Sequence, residues 1–281
     1  MQKVKRDNGW GLDFSFPLQG RYAKPRQKGL TMILDKGIGL RETHDLLEMC
    51  AAYIDYWKLG FGSSALYEPV LLKKKIDLIH SFHIQAYPGG TFTEIACMQG
   101  KLAPFLNKAQ ELGFTTVEVS EGTIELPQKQ RSSIIRSARA MGLTVLTEIG
   151  KKEAGAVFDP GQVAAQIKRD LEEGATQVIL EARESGKNVT FFNTQGDIEQ
   201  EKVDELLLKT ATLQEQIIWE APLKKQQVNF ITLLGPNVNL GNIATNEVLA
   251  LETLRTGMRA DTFKLSLPQK NKQYRGVPAT G

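Results

Sequence analysis

The chain has few cysteines, few histidines and little net charge, and each shortage argues against a class of site. Its 281 residues include two cysteines and three histidines, and the formal net charge is +3. Cys50 and Cys97 lie far apart in apolar segments with helical periodicity, so we expect two reduced core thiols without a disulfide or metal role. So small a charge favours neither nucleic acid nor an anionic membrane as a partner.

Long hydrophobic runs are also missing. No stretch of the sequence approaches the roughly 18 apolar residues that a membrane span requires. The charged N-terminus has no apolar segment behind it, which argues against a secretory signal. We therefore expect a cytoplasmic protein that does not enter a membrane.

What the sequence does contain is a regular alternation of short apolar runs and amphipathic helical segments. Residues 1–28 carry scattered glycines, prolines and aromatics and predict an irregular N-terminal arm, and residues 264–281 predict a loose C-terminal tail. Between them, helical patterns separate eight apolar runs. The predicted strands are residues 30–34, 53–59, 84–87, 116–119, 144–146, 177–180, 216–219 and 238–240.

Eight strand–helix units within residues 29–263 predict a single α/β domain with the (β/α)₈ TIM-barrel fold. The strands read as continuous apolar runs, which is typical of parallel strands buried on both faces. A doubly wound sheet is the alternative, but the turn at residues 35–39 lacks the glycine spacing of a dinucleotide-binding fold. In a barrel, the residues that follow the strands converge at one mouth.

Polar and charged residues follow nearly every predicted strand, whereas ordinary turn residues precede the strands. Any one of them is equally well explained as a solvated loop residue, but the one-sided distribution indicates a functional mouth. Together these residues would form a ring of mixed charge around the mouth. The cations in this ring need neutralising groups, so we expect a small, multiply anionic substrate. The strand-end residues are Asp35, Lys36, Lys58, Glu118, Glu148, Lys151, Lys152, Glu181, Arg183, Ser185, Lys187, Glu220, Asn239 and Asn242.

Two features of this ring suggest how it binds ligands. Gly89 and Gly90 follow the third strand and would offer backbone N–H groups to a phosphate or carboxylate, although a simple turn is the commoner role of such a motif. The carboxylates favour a hard cation, for which Mg²⁺ is the natural choice. The carboxylates in question are Asp35, Glu148, Glu181 and Glu220.

Acid–base chemistry at the mouth falls to lysine or carboxylate, because the three histidines lie away from the strand ends. A lysine crowded by other cations has its pKa lowered toward neutrality, which makes it a competent proton donor or acceptor. Lys151 and Lys152 are the best placed for this role.

Several of these segments together resemble the phosphosulfolactate synthase family. The resemblance covers residues 28–263 and touches nearly every strand end. It is carried by GLTMILDKG from residue 29, WKLGFGSSA from 57, YPGGT from 87, LTEIGKK from 146, EARESG from 181, WEAP from 219 and VNLGNI from 238.

The resemblance implies a carbon–sulfur lyase that adds sulfite to phosphoenolpyruvate with Mg²⁺ as cofactor. The implied product is (2R)-3-phosphosulfolactate, which leads to coenzyme M or to sulfolactate. Lys152 is then the implied proton donor, with Lys151 as its rival, and the carboxylates either bind metal or orient the lysines. The assignments are Lys152, Lys151 and Glu148 for catalysis, Lys36, Lys58, Gly89, Gly90, Arg183, Ser185 and Asn239 for substrate, and Asp35 and Glu181 for metal.

Two other functions remain open. A diverged family member without activity would serve in stress protection or protein interaction, but the retained charged strand ends favour the enzyme. An aldolase-type barrel would form a Schiff base on a lysine, which borohydride traps. Apolar outer helices and an aromatic arm also suggest a homo-oligomer.

Overall fold

The structure is a computed structural model and describes residues 14–150, 158–188 and 190–267. Strands and helices alternate along this part of the chain. The strands are β1 Thr31–Asp35, β2 Tyr56–Leu59, β3 Gln85–Tyr87, β4 Thr116–Val119, β5 Thr144–Ile149, β6 Gln177–Leu180, β7 Ile217–Glu220 and β8 Leu240–Ala244. The helices are α1 Leu40–Cys50, α2 Pro69–Ser81, α3 Gly90–Met98, α4 Leu102–Leu112, α5 Gln128–Ala140, α6 Pro160–Glu172, α7 Gln200–Lys209, α8 Lys224–Leu234, α9 Val248–Arg255 and α10 Ala260–Phe263.

The eight strands form one parallel sheet in the order β3-β2-β1-β8-β7-β6-β5-β4. The two end strands, β3 and β4, meet through a side-chain hydrogen bond in which Thr116 Oγ1 donates to Gln85 Oε1 over 2.7 Å. The result is a nearly closed barrel surrounded by helices, which confirms the predicted TIM barrel.

The interior of the barrel begins with an apolar layer. Successive side chains on a strand point to opposite faces, so every second residue faces inward. Residues two positions further along a strand therefore point into the same interior, closer to the mouth. The inward apolar layer consists of Leu30, Met32, Tyr56, Tyr87, Leu146, Ile179 and Ile218.

Helix α3 is the main element outside the eight predicted strand–helix units, although the segment around Cys97 shows helical periodicity. It begins directly after the Gly89 turn and runs from Gly90 to Met98, so the third strand is followed by two helices in succession. Its threonines and isoleucine give it weak helical propensity. Tertiary packing stabilises it, since Phe92 makes an edge-to-face contact with Phe105 of α4.

The described part of the N-terminal arm closes the end of the barrel where the strands begin. Arg21 Nε lies 3.1 Å from Glu252 Oε1 of α9, and Arg26 Nη2 lies 2.8 Å from Asp55 Oδ2 before β2. Of the predicted tail, residues 268–281 lie outside the described residues. Within the described ranges, no helix is long and apolar enough to cross a membrane.

Candidate functional site

The second inward layer of the barrel is charged. Lys58, Glu148, Glu181 and Glu220 each follow an inward apolar residue by two positions, so the alternation of the strands turns them toward the mouth. They line a pocket of about 410 Å³ at the C-terminal ends of the strands. Its other lining residues include Gly89, Gly90, Glu118, Arg183, Glu184, Ser185 and Asn242.

Lys58 lies at the centre of the carboxylates. Its Nζ is 2.9 Å from Glu148 Oε2, 3.0 Å from Glu118 Oε2 and 3.5 Å from Glu220 Oε1. Burial alone would lower the pKa of Lys58, but these three neighbours together raise it well above the usual lysine value. Lys58 therefore stays an ammonium ion at neutral pH.

Three carboxylates of the charged layer, those of Glu148, Glu181 and Glu220, lie close enough together to bind one cation. One oxygen each from Glu148, Glu181 and Glu220 lies within 4.8 Å of the others. Burial, Glu148 and Glu220 raise the pKa of Glu181 well above its usual value, and burial also raises the pKa of Glu220. Glu220 Oε1 accepts no hydrogen bond from the described residues. A buried, oxygen-only donor set of this kind fits a hard cation such as Mg²⁺.

Glu118 joins this charged layer from the seam between β3 and β4. The backbone N–H of Gly90 donates to Glu118 Oε1 over 2.7 Å, so it is committed to this carboxylate. A Cβ on Gly90 would overlap Glu118 and Ser120, which explains the glycine. Burial raises the pKa of Glu118 to about 7.

A further carboxylate, Glu94, reaches the seam from α3. It accepts hydrogen bonds from the backbone N–H groups of Thr123 at 2.7 Å and Ile124 at 2.8 Å. Ser120 Oγ lies 3.1 Å from Glu94 Oε1 and 3.0 Å from Glu148 Oε1, so it connects the two carboxylates. Glu94 is not predicted from the sequence because it lies within a helix and does not directly follow a strand.

The cations predicted at the mouth divide between its floor and its rim. Lys58 is buried on the floor, whereas Arg183 and Lys36 are exposed at the rim. The backbone N–H of Arg183 donates to Glu181 Oε1 over 2.6 Å, and Lys36 pairs with Glu184. Ser185 lines the pocket beside them.

Asp35 lies apart from the carboxylate cluster. Because Leu34 follows the inward Met32 by two positions, Asp35 faces outward, toward the helices. There Asp35 Oδ2 accepts a hydrogen bond from Trp57 Nε1 at 2.8 Å and lies 2.5 Å from Lys75 Nζ of α2. The metal-binding role predicted for Asp35 gains no support from this position.

Asn239 lies at the opposite end of the barrel from the pocket, which corrects its predicted placement. Strand β8 begins at Leu240, so Asn239 precedes this strand and does not follow it as predicted. Asn239 Oδ1 accepts from Leu30 N at 2.9 Å, and Asn239 Nδ2 donates to Ile217 O at 3.0 Å. The strand-eight residue that does line the pocket is Asn242.

Lys151 and Lys152 lie outside the described residues. Their assignment as proton donor and rival therefore stays a prediction from sequence. The described part of the mouth carries more carboxylates than cations on its floor, with Lys58 surrounded by Glu118, Glu148 and Glu220.

Comparison with known proteins decides the family. A family model described as (2R)-phospho-3-sulfolactate synthase (ComA) matches residues 19–261. The chain belongs to this family. The phosphosulfolactate synthase of Methanothermobacter thermautotrophicus is 41% identical over 252 residues, which cover 89% of this chain and 97% of that protein. The phosphosulfolactate synthase of Methanocaldococcus jannaschii is 42% identical over 239 residues, which cover 84% and 94%.

The fold is shared more widely than the phosphosulfolactate synthase family. The crystal structure of the YdjI aldolase from Escherichia coli K12 superposes with a TM-score of 0.50 at 12% identity. The match covers 86% of this chain and 83% of the aldolase. At this identity the likeness shows a common barrel and carries no argument about substrates.

Proposed function

We propose that the chain is a phosphosulfolactate synthase, a carbon–sulfur lyase that adds sulfite to phosphoenolpyruvate with Mg²⁺ and gives (2R)-3-phosphosulfolactate. The observation that carries this proposal is the charged floor of the pocket. Glu148, Glu181 and Glu220 bring oxygens within 4.8 Å of one another, and Lys58 lies among them. Membership of the family supports this class of reaction.

Glu148, Glu181 and Glu220 would hold the Mg²⁺. A cation bound by these residues would supply positive charge where negative charge develops on the carboxylate of phosphoenolpyruvate. The burial of these three glutamates also supports a bound cation, since closely packed carboxylates are most stable when a cation neutralises them.

The reaction forms one bond to sulfur and one to hydrogen. The sulfur lone pair of sulfite attacks C3, the new C–S bond forms, and the C2=C3 electron pair moves toward the carboxylate as an aci-carboxylate. A proton then adds to C2 on one face, which sets the R configuration, and the phosphate group stays attached. No oxidant or reductant is consumed.

Each residue in the proposal has a separate task. Lys58 holds Glu118, Glu148 and Glu220 in place and adds a fixed positive charge to the floor of the pocket. Arg183 and Lys36 at the rim would bind the phosphate of phosphoenolpyruvate. Positive charge at the mouth would thus hold the phosphate, the carboxylate and sulfite close together despite their mutual repulsion. Lys152 donates the proton to C2, and Lys151 is the rival for this step.

One assay tests the proposal. Purified protein is mixed with phosphoenolpyruvate, sulfite and Mg²⁺, and phosphosulfolactate is followed by phosphorus NMR and mass spectrometry. We expect product that depends on sulfite and disappears with EDTA. Absence of product under every metal condition would contradict the proposal. Borohydride trapping of a keto acid on the protein would favour an aldolase instead.

A further inference from the structure

Asn242 has an unusual place in the barrel. It lies inside strand β8 with a left-handed backbone conformation, φ 54°, which few residues other than glycine adopt within a strand. The residue is 6% exposed and lines the pocket at the mouth. None of the roles proposed for the other residues of the mouth involves Asn242.

A bulge in β8 explains how Asn242 reaches the pocket. Thr31 of β1 pairs with Leu240, but Ile33 pairs with Ile243, so Met32 lies opposite two residues, Gly241 and Asn242. Leu240 and Ile243 both belong to the core cluster outside the barrel interior, so both side chains point outward. In a regular strand, residues three positions apart point to opposite faces, so the alternation is broken between them. Asn242 is the extra residue, and bulges of this kind commonly redirect a side chain toward an active site.

The amide of Asn242 is incompletely bonded. Its Oδ1 is buried and accepts no hydrogen bond from any residue in the described ranges. Buried acceptors rarely stay unpaired, so a ligand that can donate a hydrogen bond is expected here. Glu220 lies next to this position because it pairs with Gly241 across β7 and β8. An ionised carboxylate is an acceptor only, and so is a fully ionised anionic substrate.

A cation held by the carboxylates keeps Glu220 ionised and brings a donor of its own, its hydration water. Mg²⁺ in proteins keeps several waters of hydration, whose polarised O–H groups need acceptors. We propose that Asn242 Oδ1 accepts a hydrogen bond from the hydration water of a cation held by Glu148, Glu181 and Glu220. Asn242 is then a positioning residue for the metal site, an inference that rests on the cation assigned in the proposed function.

Asn242→Gly is the decisive variant. Glycine adopts a left-handed φ without strain, so this change removes the amide and preserves the backbone of the bulge. Loss of a group that holds the outer shell of a metal site typically weakens metal binding by about 10- to 100-fold. We therefore expect Asn242→Gly to bind Mn²⁺ at least about tenfold more weakly than wild type, with an unchanged thermal unfolding midpoint. Mn²⁺ binding is measured by electron paramagnetic resonance without substrates.

Asn188→Gly is the matched control. Asn188 also has a left-handed φ, 51°, but it is exposed and is not among the residues that line the pocket. We expect its Mn²⁺ affinity to equal that of wild type. If Asn242→Gly also keeps the wild-type Mn²⁺ affinity, asparagine serves the backbone conformation alone and the inference is overturned.

Asn242→Asp decides the question if the glycine variant fails to fold. Aspartate also tolerates the left-handed conformation and adds a charge beside the cation. We expect about tenfold tighter Mn²⁺ binding, because an anionic acceptor bonds the hydration water more strongly and adds attractive charge beside the cation. An unchanged affinity in Asn242→Asp would count against the inference.

The same measurements separate this inference from the proposed function. A wild type that binds Mn²⁺ but forms no phosphosulfolactate contradicts the proposed function, and the Asn242 variants still decide the inference. A wild type that forms product while Asn242→Gly keeps its Mn²⁺ affinity overturns the inference alone. A wild type that binds no Mn²⁺ also overturns it.

Discussion

Asp35 and Lys75 form a buried ion pair on the outer face of β1, with Lys75 Nζ 2.5 Å from Asp35 Oδ2 and side chains that are 1% and 0% exposed for the lysine and the aspartate. Lys75 also donates to the carbonyl of Ile38, and Asp35 Oδ1 accepts from the N–H groups of Gly37 and Ile38. The pair therefore fixes the loop that carries Lys36 to the rim.

Asp35→Asn should weaken the fold and spare the metal site. Breaking a buried pair leaves Lys75 charged without its partner, so we expect the free energy of unfolding to fall by about 3 kcal/mol in urea denaturation. Mn²⁺ affinity should stay at the wild-type value, whereas Glu181→Gln should reduce it. Weaker Mn²⁺ binding in Asp35→Asn than in Glu181→Gln would restore Asp35 as a metal ligand.

Lys58→Met should destabilise the protein far more than Lys36→Met. Lys58 is buried among three carboxylates, so its loss leaves their charges uncompensated and should cost about 3 kcal/mol. Lys36 and Glu184 are both about half exposed, so Lys36→Met should cost less than about 1 kcal/mol. Urea denaturation at pH 7.5 measures both, and equal losses would refute the central role of Lys58.

The metal-free protein should lose stability as the pH rises. Burial raises the pKa of Glu118 from the ordinary 4.5 to about 7, so the folded state keeps a proton that the unfolded chain releases. This contribution is complete below pH 4.5 and is lost as the pH rises through about 7. It amounts to at most about 3 kcal/mol, and Glu181 and Glu220 act in the same direction because their pKa values are also raised.

Glu118→Gln tests this pH dependence. The variant should lose less stability between pH 5 and pH 8 than wild type when both are unfolded by urea in EDTA. Glu201→Gln, a change at an exposed residue of α7, should follow the wild-type curve. A wild type that gains stability over this pH range, or a Glu118→Gln variant with the same slope, would be inconsistent with the raised pKa.

Lys152→Ala should abolish turnover while the fold stays intact. General acid catalysis typically contributes about 10²- to 10⁴-fold, so the rate of phosphosulfolactate formation should fall by at least about 10². The circular dichroism spectrum should match wild type. Lys151→Ala is the paired variant, and near-normal turnover in Lys152→Ala with a large loss in Lys151→Ala would transfer the role to Lys151.

The fold was predictable because apolar runs and helical periodicity recur in the same order eight times. The candidate site was predictable where a charge ends an apolar run on the inward face, as for Lys58, Glu148 and Glu181. Asp35 also ends an apolar run, but it is one residue out of phase with the inward face. Sequence alone does not show which of two adjacent residues faces the interior.

Two other errors have local causes. Asn239 was assigned to the mouth because 238–240 resembles a short strand, while the bulge that shifts the phase of β8 has no simple sequence signal. Glu94 was not predicted because it lies within α3, whereas the predicted site residues directly follow strands. Glu118, in contrast, was among the predicted strand-end residues, because it is a charged residue near the end of the fourth strand.

The pairing of β1 with β8 has a consequence for the order in which the protein folds. β1 pairs on one edge with β2, which follows it closely in the sequence. Its other edge pairs with Leu240 and Ile243 of β8, which are synthesised much later. Arg21 likewise forms its ion pair with Glu252 only after α9 has been synthesised. On the ribosome, the barrel therefore stays open through most of synthesis, and contacts between distant parts of the chain make its closure a late step.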